Sequence, residues 1–153
     1  ILTALDPKPG HPMKVHGLTV LKPNRREAFA MANKPYAERI DPVSDDHELA
    51  EVADFLLSEW QPKYLLISLS SQGMALFRKG HQPVVIPTLA RDVYDVSGAG
   101  DTVIATLMLA MSAGASPVEA AEIANHAAGI VVGRVGTVTV TDAELRESFK
   151  NGV

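Results

Sequence analysis

Cysteine is absent from this 153-residue chain. That excludes a disulfide framework, a thiolate metal site and a cysteine nucleophile, and it fits a reducing compartment. Positive charge is not in excess either, with 14 Lys and Arg against 18 Asp and Glu, a formal net charge of −4. Charge-driven nucleic-acid binding is therefore not expected, although a local basic patch is compatible with that balance. No apolar run reaches the roughly 18 residues a membrane span needs, and the first residues lack a signal-peptide pattern. The expected setting is the cytoplasm, with neither nucleic acid nor membrane as a partner. His11, His16, His47, His81 and His126 are scattered without metal-ligand spacing and read as surface or packing residues.

What the chain does have is 46% hydrophobic residues in a length suited to one domain, enough to bury roughly two-thirds of its unfolded surface. Ile1–Leu5 reads as a buried strand, stopped by the turn residues Asp6-Pro7-Lys8-Pro9-Gly10, and Leu18–Leu21 as a second one, stopped by Pro23. A strand at the very start of the chain suggests that it is part of a larger protein. Asn24 caps an expected helix to about Met31, and Asp45-x-x-Glu48 reads as a capping box for another ending near Trp60. Tyr64–Leu69 is an expected buried strand, Ser70–Gly73 a turn, and Met74–Phe77 with Gln82–Ile86 an antiparallel hairpin at a sheet edge. Ser97-Gly98-Ala99-Gly100 opens an apolar helix to about Ala113, in which Met108 and Met111 read as core. Ser116 with Glu119 caps the next helix, to about Val132; Thr137–Val140 reads as extended, and Thr141 with Glu144 caps a last helix. Strands alternating with helices imply an α/β fold with a mainly parallel sheet.

Chemistry is concentrated in Asp95-Val96-Ser97-Gly98-Ala99-Gly100-Asp101-Thr102. Small residues let a ligand approach the backbone, and the helix that follows aims free amides at the turn, an arrangement that favours phosphate. A plain capped helix start is the alternative. A P-loop needs Gly-Lys-Ser/Thr, whereas this chain has Gly100-Asp101-Thr102. The dinucleotide fingerprint fails at its third glycine, which is Val103 here, and no strand ending in an acid follows about 20 residues on. NAD binding is not expected. A carboxylate directly after the turn could instead accept a proton from an attacking hydroxyl while the amides stabilise a transferring phosphoryl group.

Asp95-Val-Ser-Gly-Ala-Gly-Asp101 resembles the late signature of the ribokinase-like (PfkB) carbohydrate kinases. Lys22-Pro23-Asn24-Arg25-Arg26-Glu27 is similar to that family's Pro-Asn-x-x-Glu element. Ile67–Met74 resembles its strand and turn beneath the nucleotide, and Asn125–Gly129 through Gly136-Thr137 its late helix and loop beside the adenine. The likeness runs along the whole chain as the second half of that family's α/β/α sandwich, a Rossmann-like, mainly parallel sheet with an antiparallel edge hairpin. It implies one truncated kinase domain over residues 1–153. Within the family, Asp6-Pro7-Lys8, Val93–Ile104 and Val131–Thr137 lie nearest to the kinases of heptose 7-phosphate, so the implied reaction is ATP-dependent phosphorylation of that sugar's anomeric hydroxyl in ADP-heptose synthesis.

The resemblance also implies roles. Asp101 would be the general base, and the amides of Gly98, Ala99 and Gly100 the anion hole. Asn24 and Glu27 would organise Mg²⁺ through water. Ser68, Ser70 and Gly73 would lie along the phosphates and ribose of ATP, with Asn125 near the base. Asp95 and Ser97 match a monovalent-cation loop, for K⁺, with Ser97 where Thr is usual. The family's sugar-binding residues and lid belong to an amino-terminal half outside this chain. Pairing with that half, or self-association, is therefore expected. The other reading is a nucleotide-binding fragment without independent activity, or a kinase of another sugar. Apart from the resemblance, Arg25-Arg26 reads as a solvated helix start, and Asp6 as either a nucleotide contact or a turn cap.

Overall fold

The computed structural model describes residues 1–8, 13–36, 42–89 and 94–150. Pro9, Gly10, His11 and Val93 lie outside the described residues. The chain divides into two compact units, Ile1–Val85 and Ile86–Val153.

The first unit is built on parallel strands. β1 (Ala4–Leu5) pairs with β2 (Val20–Leu21), and β2 with β3 (Tyr64–Ser68); β4 (Met74–Phe77) then runs antiparallel to β3. β5 (Val84–Ile86) completes the order β1-β2-β3-β4-β5. β3 is Leu-Leu-Ile through its centre with all three side chains buried, the continuous apolar run of a strand covered on both faces. The strands before it are shorter than their apolar runs suggest. β1 and β2 share a two-residue register, Ala4 with Val20 and Leu5 with Leu21; just ahead of it the Thr3 carbonyl accepts from the Thr19 and Val20 amides, and Ile1 and Leu2 lie before the pairing.

Two helices cover this sheet. α1 (Arg25–Met31) is closed by a capping box in which Asn24 accepts from the Glu27 amide and Glu27 accepts from the Asn24 amide. α2 (His47–Glu59) starts one residue later than its sequence pattern suggests. Asp46, not Asp45, is the cap; its carboxylate accepts from the Leu49 amide, while Asp45 falls in a short 3-10 turn. Leu49, Val52, Ala53, Leu56 and Leu57 lie on one face of α2 and are buried with Phe29, Trp60, Leu65 and Ile67 in a single core.

The second unit is helical. α3 (Ala99–Ser112) packs on α4 (Pro117–Val132), and α5 (Asp142–Lys150) on α4. Ser116 and Glu119 form the expected capping box, with Pro117 at the first helical position. Although α3 is apolar almost throughout, it buries only Val103 and Leu107, and Met108 and Met111 are half-buried. Thr137–Val140 forms no strand.

Candidate active site

In the first unit, the carboxyl ends of β1, β2 and β3 lie along one edge of the sheet because these strands are parallel. Open α/β sheets bind ligands at such an edge. Asp6 follows β1, Lys22 and Asn24 follow β2, and Ser68 ends β3, joined to Asn24 by a single parallel bridge. Lys22 is 2% exposed, and its ammonium lies 3.2 Å from Asp6 Oδ2. Asp6 Oδ1 is buried without a hydrogen bond among the described residues, with Lys8 Nζ at 3.7 Å. Sequence reasoning left Asp6 open and passed over Lys22. A lysine ahead of Pro-Asn carries no local signal of burial; only the neighbouring strand end shows it.

Asn24 and Glu27 are brought together as expected, chiefly by their own capping box. Asn24 Oδ1 accepts from the Glu27 amide and Glu27 Oε2 from the Asn24 amide, both at 2.8 Å. Glu27 Oε1 faces outward from the box and accepts from Lys8 Nζ at 3.4 Å. A hard oxygen that already faces a cation fits the family's water-held Mg²⁺. No group of three or more His, Asp or Glu able to hold a metal directly occurs among the described residues.

Past Ser68 the chain turns tightly. Ser70 opens a 3-10 turn at φ +54°, a left-handed backbone costing about 1 kcal/mol or more for a residue with a Cβ. Gly73 closes it at φ +86°, its carbonyl accepting from the Leu69 amide at 2.8 Å and its amide donating to the Ser70 carbonyl at 3.1 Å. Strained backbone of this kind gathers at functional turns.

Arg25 corrects the solvated-start reading. It is 7% exposed, and its Nη1 lies 2.6 Å from Asp46 Oδ2; Arg26 alone is exposed. The partner lies 21 residues away, so nothing local in the sequence marks it.

In the second unit, the amino end of α3 differs from those of the other helices. Asn24, Asp46, Ser116 and Thr141 each cap their helix with a side chain, whereas α3 begins at Gly98 with no side-chain cap. Gly98 sits at φ +78°, and a Cβ there would come 3.1 Å from Thr137 Cγ2. Glycine is thus required twice, by backbone angle and by the approach of Thr137. The Ala99 amide turns back to the Val96 carbonyl at 3.2 Å, so this member of the expected anion hole is engaged within the turn. No hydrogen bond to the Gly98 or Gly100 amides is found among the described residues. Asp101 is exposed in the first turn of α3, where its charge also complements the helix dipole.

The turn before α3 is tied to the loop after α4 by Asp95. Its Oδ1 accepts from the Ser97 amide at 2.9 Å and its Oδ2 from the Gly136 amide at 3.0 Å. Hydrogen bonds from the Ser97 side chain and amide, then from the Gly136 amide, hold its carboxyl below the usual range. The same loop is gripped at Arg134, whose Nη2 donates to Glu144 Oε1 at 2.6 Å. Asn125 is 5% exposed, and its Nδ2 donates to the Pro87 carbonyl at 2.7 Å. That amide therefore fixes the segment after β5, and it is the buried bonding partner that an asparagine inside a helix calls for.

The chain matches the pfkB family carbohydrate kinase profile over residues 3–144. It belongs to that family. Among curated proteins this PfkB chain is similar to the bifunctional protein HldE of Vibrio parahaemolyticus, 42% identical over 144 residues that make up 94% of the chain and 29% of that protein. It is 43% identical over 154 residues to HldE of Geobacter sulfurreducens, covering 99% of the chain and 30% of the relative. It thus spans less than a third of the length of these relatives. Among solved structures, Arabidopsis thaliana ribokinase complexed with ribose and ATP matches 98% of the chain and 48% of its own, with TM-score 0.80 and 24% identity. Phosphofructokinase-2 from Escherichia coli in complex with potassium matches 89% of the chain and 41% of its own, with TM-score 0.74 and 17% identity. At those identities the structural matches establish the ribokinase-like fold.

Proposed function

We propose that this PfkB chain is the nucleotide and catalytic part of an ATP-dependent sugar kinase, and that the sugar is a heptose 7-phosphate phosphorylated on its anomeric hydroxyl. Membership in the carbohydrate kinase family and 42–43% identity to HldE proteins support the reading. The observation that carries it is the α3 amino end, where an uncapped left-handed glycine is followed three residues later by an exposed carboxylate.

In the reaction, Asp101 takes the proton from the attacking sugar hydroxyl. The sugar oxygen forms its bond to the γ-phosphorus of ATP as the bond to the β-phosphate oxygen breaks, and ADP leaves. The Gly98 and Gly100 amides hold the charge on the transferring group, with Ala99 joining once its turn contact to Val96 opens. Ser68, Ser70 and Gly73 are assigned to the phosphates and ribose. Asn125, already bonded to Pro87, acts on the base side through the segment it fixes. Asn24 and Glu27 would hold the water shell of a Mg²⁺ ion, which would supply neutralisation of the phosphate charge. With the Ser97 and Gly136 amides and the Ser97 side chain already on it, the Asp95 carboxylate keeps about one acceptor site, which suits K⁺ as one ligand among carbonyls.

The experiment is Asp101→Asn in the chain joined to the amino-terminal half of an HldE relative. Turnover should fall by about 10²–10⁴-fold with nucleotide affinity held within about twofold. Undiminished turnover overturns the assignment of the base. A second reading is favoured by the share of its relatives that the chain covers, 29–30%. In that reading the chain by itself binds nucleotide and transfers nothing until the rest of the enzyme is supplied. ATP binding without transfer, restored by adding that half, would support it.

A further inference from the structure

α1 begins against a local rule. It is seven residues long and carries arginines at its first two positions, where the helix dipole disfavours positive charge. So short a helix has little stability of its own and depends on tertiary contacts. One of those arginines is buried. Arg25 has an 8% exposed side chain, Asp46 a 2% exposed one, and they meet at 2.6 Å between Nη1 and Oδ2. Nε, Nη1 and Nη2 of Arg25 lack an aligned hydrogen-bond acceptor among the described residues. The guanidinium is compensated by the charge of Asp46 and by the Phe29 ring, whose centroid lies 5.1 Å from Arg25 Cζ. That ring is held edge-on by Tyr36 at 5.9 Å. The carboxylate is in turn fixed from its other side, since Asp46 Oδ1 accepts from the Leu49 amide at 3.0 Å as the cap of α2.

We propose that Arg25 and Asp46 are positioning residues for the Asn24–Glu27 element. The pair pins the first residue of α1 to the start of α2 and so fixes where the capping box directs the outer oxygen of Glu27. An ion pair this deep gives little net stability, because desolvating two charges offsets their attraction. What it supplies is geometry. The proposal rests on the reading above, in which Asn24 and Glu27 serve the nucleotide and its Mg²⁺, but it also has a readout of its own.

The test separates charge from cap and from stability. Asp46→Asn keeps an oxygen to accept from Leu49 and strips the charge, leaving Arg25 buried and uncompensated; the chain should be strongly destabilised. The double variant Arg25→Met with Asp46→Asn removes both charges and keeps volume, and its melting temperature should return to near that of the parent. Despite that recovery, amide exchange at Asn24 and Glu27 should be faster by about tenfold or more while exchange at Leu49 is unchanged, which marks a local opening. The gain in ADP affinity on adding Mg²⁺ should likewise shrink by about tenfold, with Mg²⁺-free ADP affinity unchanged.

Recovery of exchange protection and of the Mg²⁺ effect together with stability would make the pair merely structural and overturn the proposal. Should the double variant not fold, Arg25→Lys serves instead. It keeps the charge and loses the planar fork, so parental exchange at Asn24 and Glu27 in that variant overturns the proposal and faster exchange supports it. If the parent chain binds no ADP at all, the proposed function fails, and the exchange measurements still decide this inference.

Discussion

At the scale of single residues, the histidine on α4 shows how packing sets a proton's place. His126 stacks on Phe149 with ring centroids 3.7 Å apart, and its Nδ1 lies 3.0 Å from Ser148 Oγ. Ser148 gives its own hydrogen to the Leu145 carbonyl at 2.7 Å, so the histidine is assigned as the donor through Nδ1. Burial lowers the pKa of His126 below its ordinary value, with Glu122 acting weakly in the other direction. The unfolded chain therefore takes up this proton first. Stability is full above the ordinary histidine pKa of about 6.5 and declines as pH falls from there toward the folded value. Melting curves at pH 8 and pH 5.5 should show that loss, and His126→Gln should shrink it; an identical loss in the variant would place the titration elsewhere. Gly98 gives a second residue-scale prediction. Gly98→Ala must accept φ +78° and a 3.1 Å approach to Thr137 Cγ2. It should destabilise the chain by about 1–3 kcal/mol in denaturant titration. Adding Thr137→Ser removes the methyl and should recover the steric part while the backbone part remains.

At the scale of elements, local grammar was readable and long-range grammar was not. The pairs Asn24/Glu27, Ser116/Glu119 and Thr141/Glu144 can be read from sequence because cap and partner stand three residues apart. The α2 cap shifts from Asp45 to Asp46 because Asp46 also answers Arg25, a partner no window of that size contains. α3 reads as a core helix from its composition, but the helix packed on it covers one seam, which leaves Leu109 at 72% exposure. At the candidate site, the glycine turn and Asp101 are legible from spacing alone, whereas the Asp6–Lys22 pair exists only once two strand ends meet. The α5 cap carries its own prediction. Glu144 is pushed down to about 2 by hydrogen bonds from the Thr141 side chain and amide and then from Arg134. A depressed carboxyl contributes stability above its unfolded pKa, and that contribution is lost as pH falls through the folded one. Acid titration from about pH 4.5 down to pH 2 should loosen α5 and the Arg134–Gly136 loop together, since the Asp95 carboxyl, also held low, accepts from the Gly136 amide of that loop. Glu144→Gln should flatten the acid limb of that titration followed by amide protection.

For the whole molecule, the distribution of apolar surface argues for association. β1 stands at one end of the sheet order with β2 as its neighbour, and Ile1 and Leu2 ahead of it are exposed. In the helical unit Tyr94, Val96, Leu109 and Val135 are each at least two-thirds exposed. A strand edge with no partner among the described residues offers its backbone groups to another chain. A net charge of −4 over 153 residues gives only modest repulsion against it. Light scattering at about 10–100 μM, where contacts of modest area become populated, should therefore return a mass of at least two chains. Raised salt should preserve the association or strengthen it, because burial of apolar surface drives it and ion pairing does not. Leu109→Glu, placed on the exposed side of α3, should shift the population toward single chains if α3 takes part, and leave it unchanged if the β1 edge carries the contact alone. Adding the amino-terminal half of an HldE relative should compete with self-association, since a sheet edge can pair with one partner at a time. A single-chain mass that persists across that concentration range would show that the chain satisfies its exposed edge without a partner.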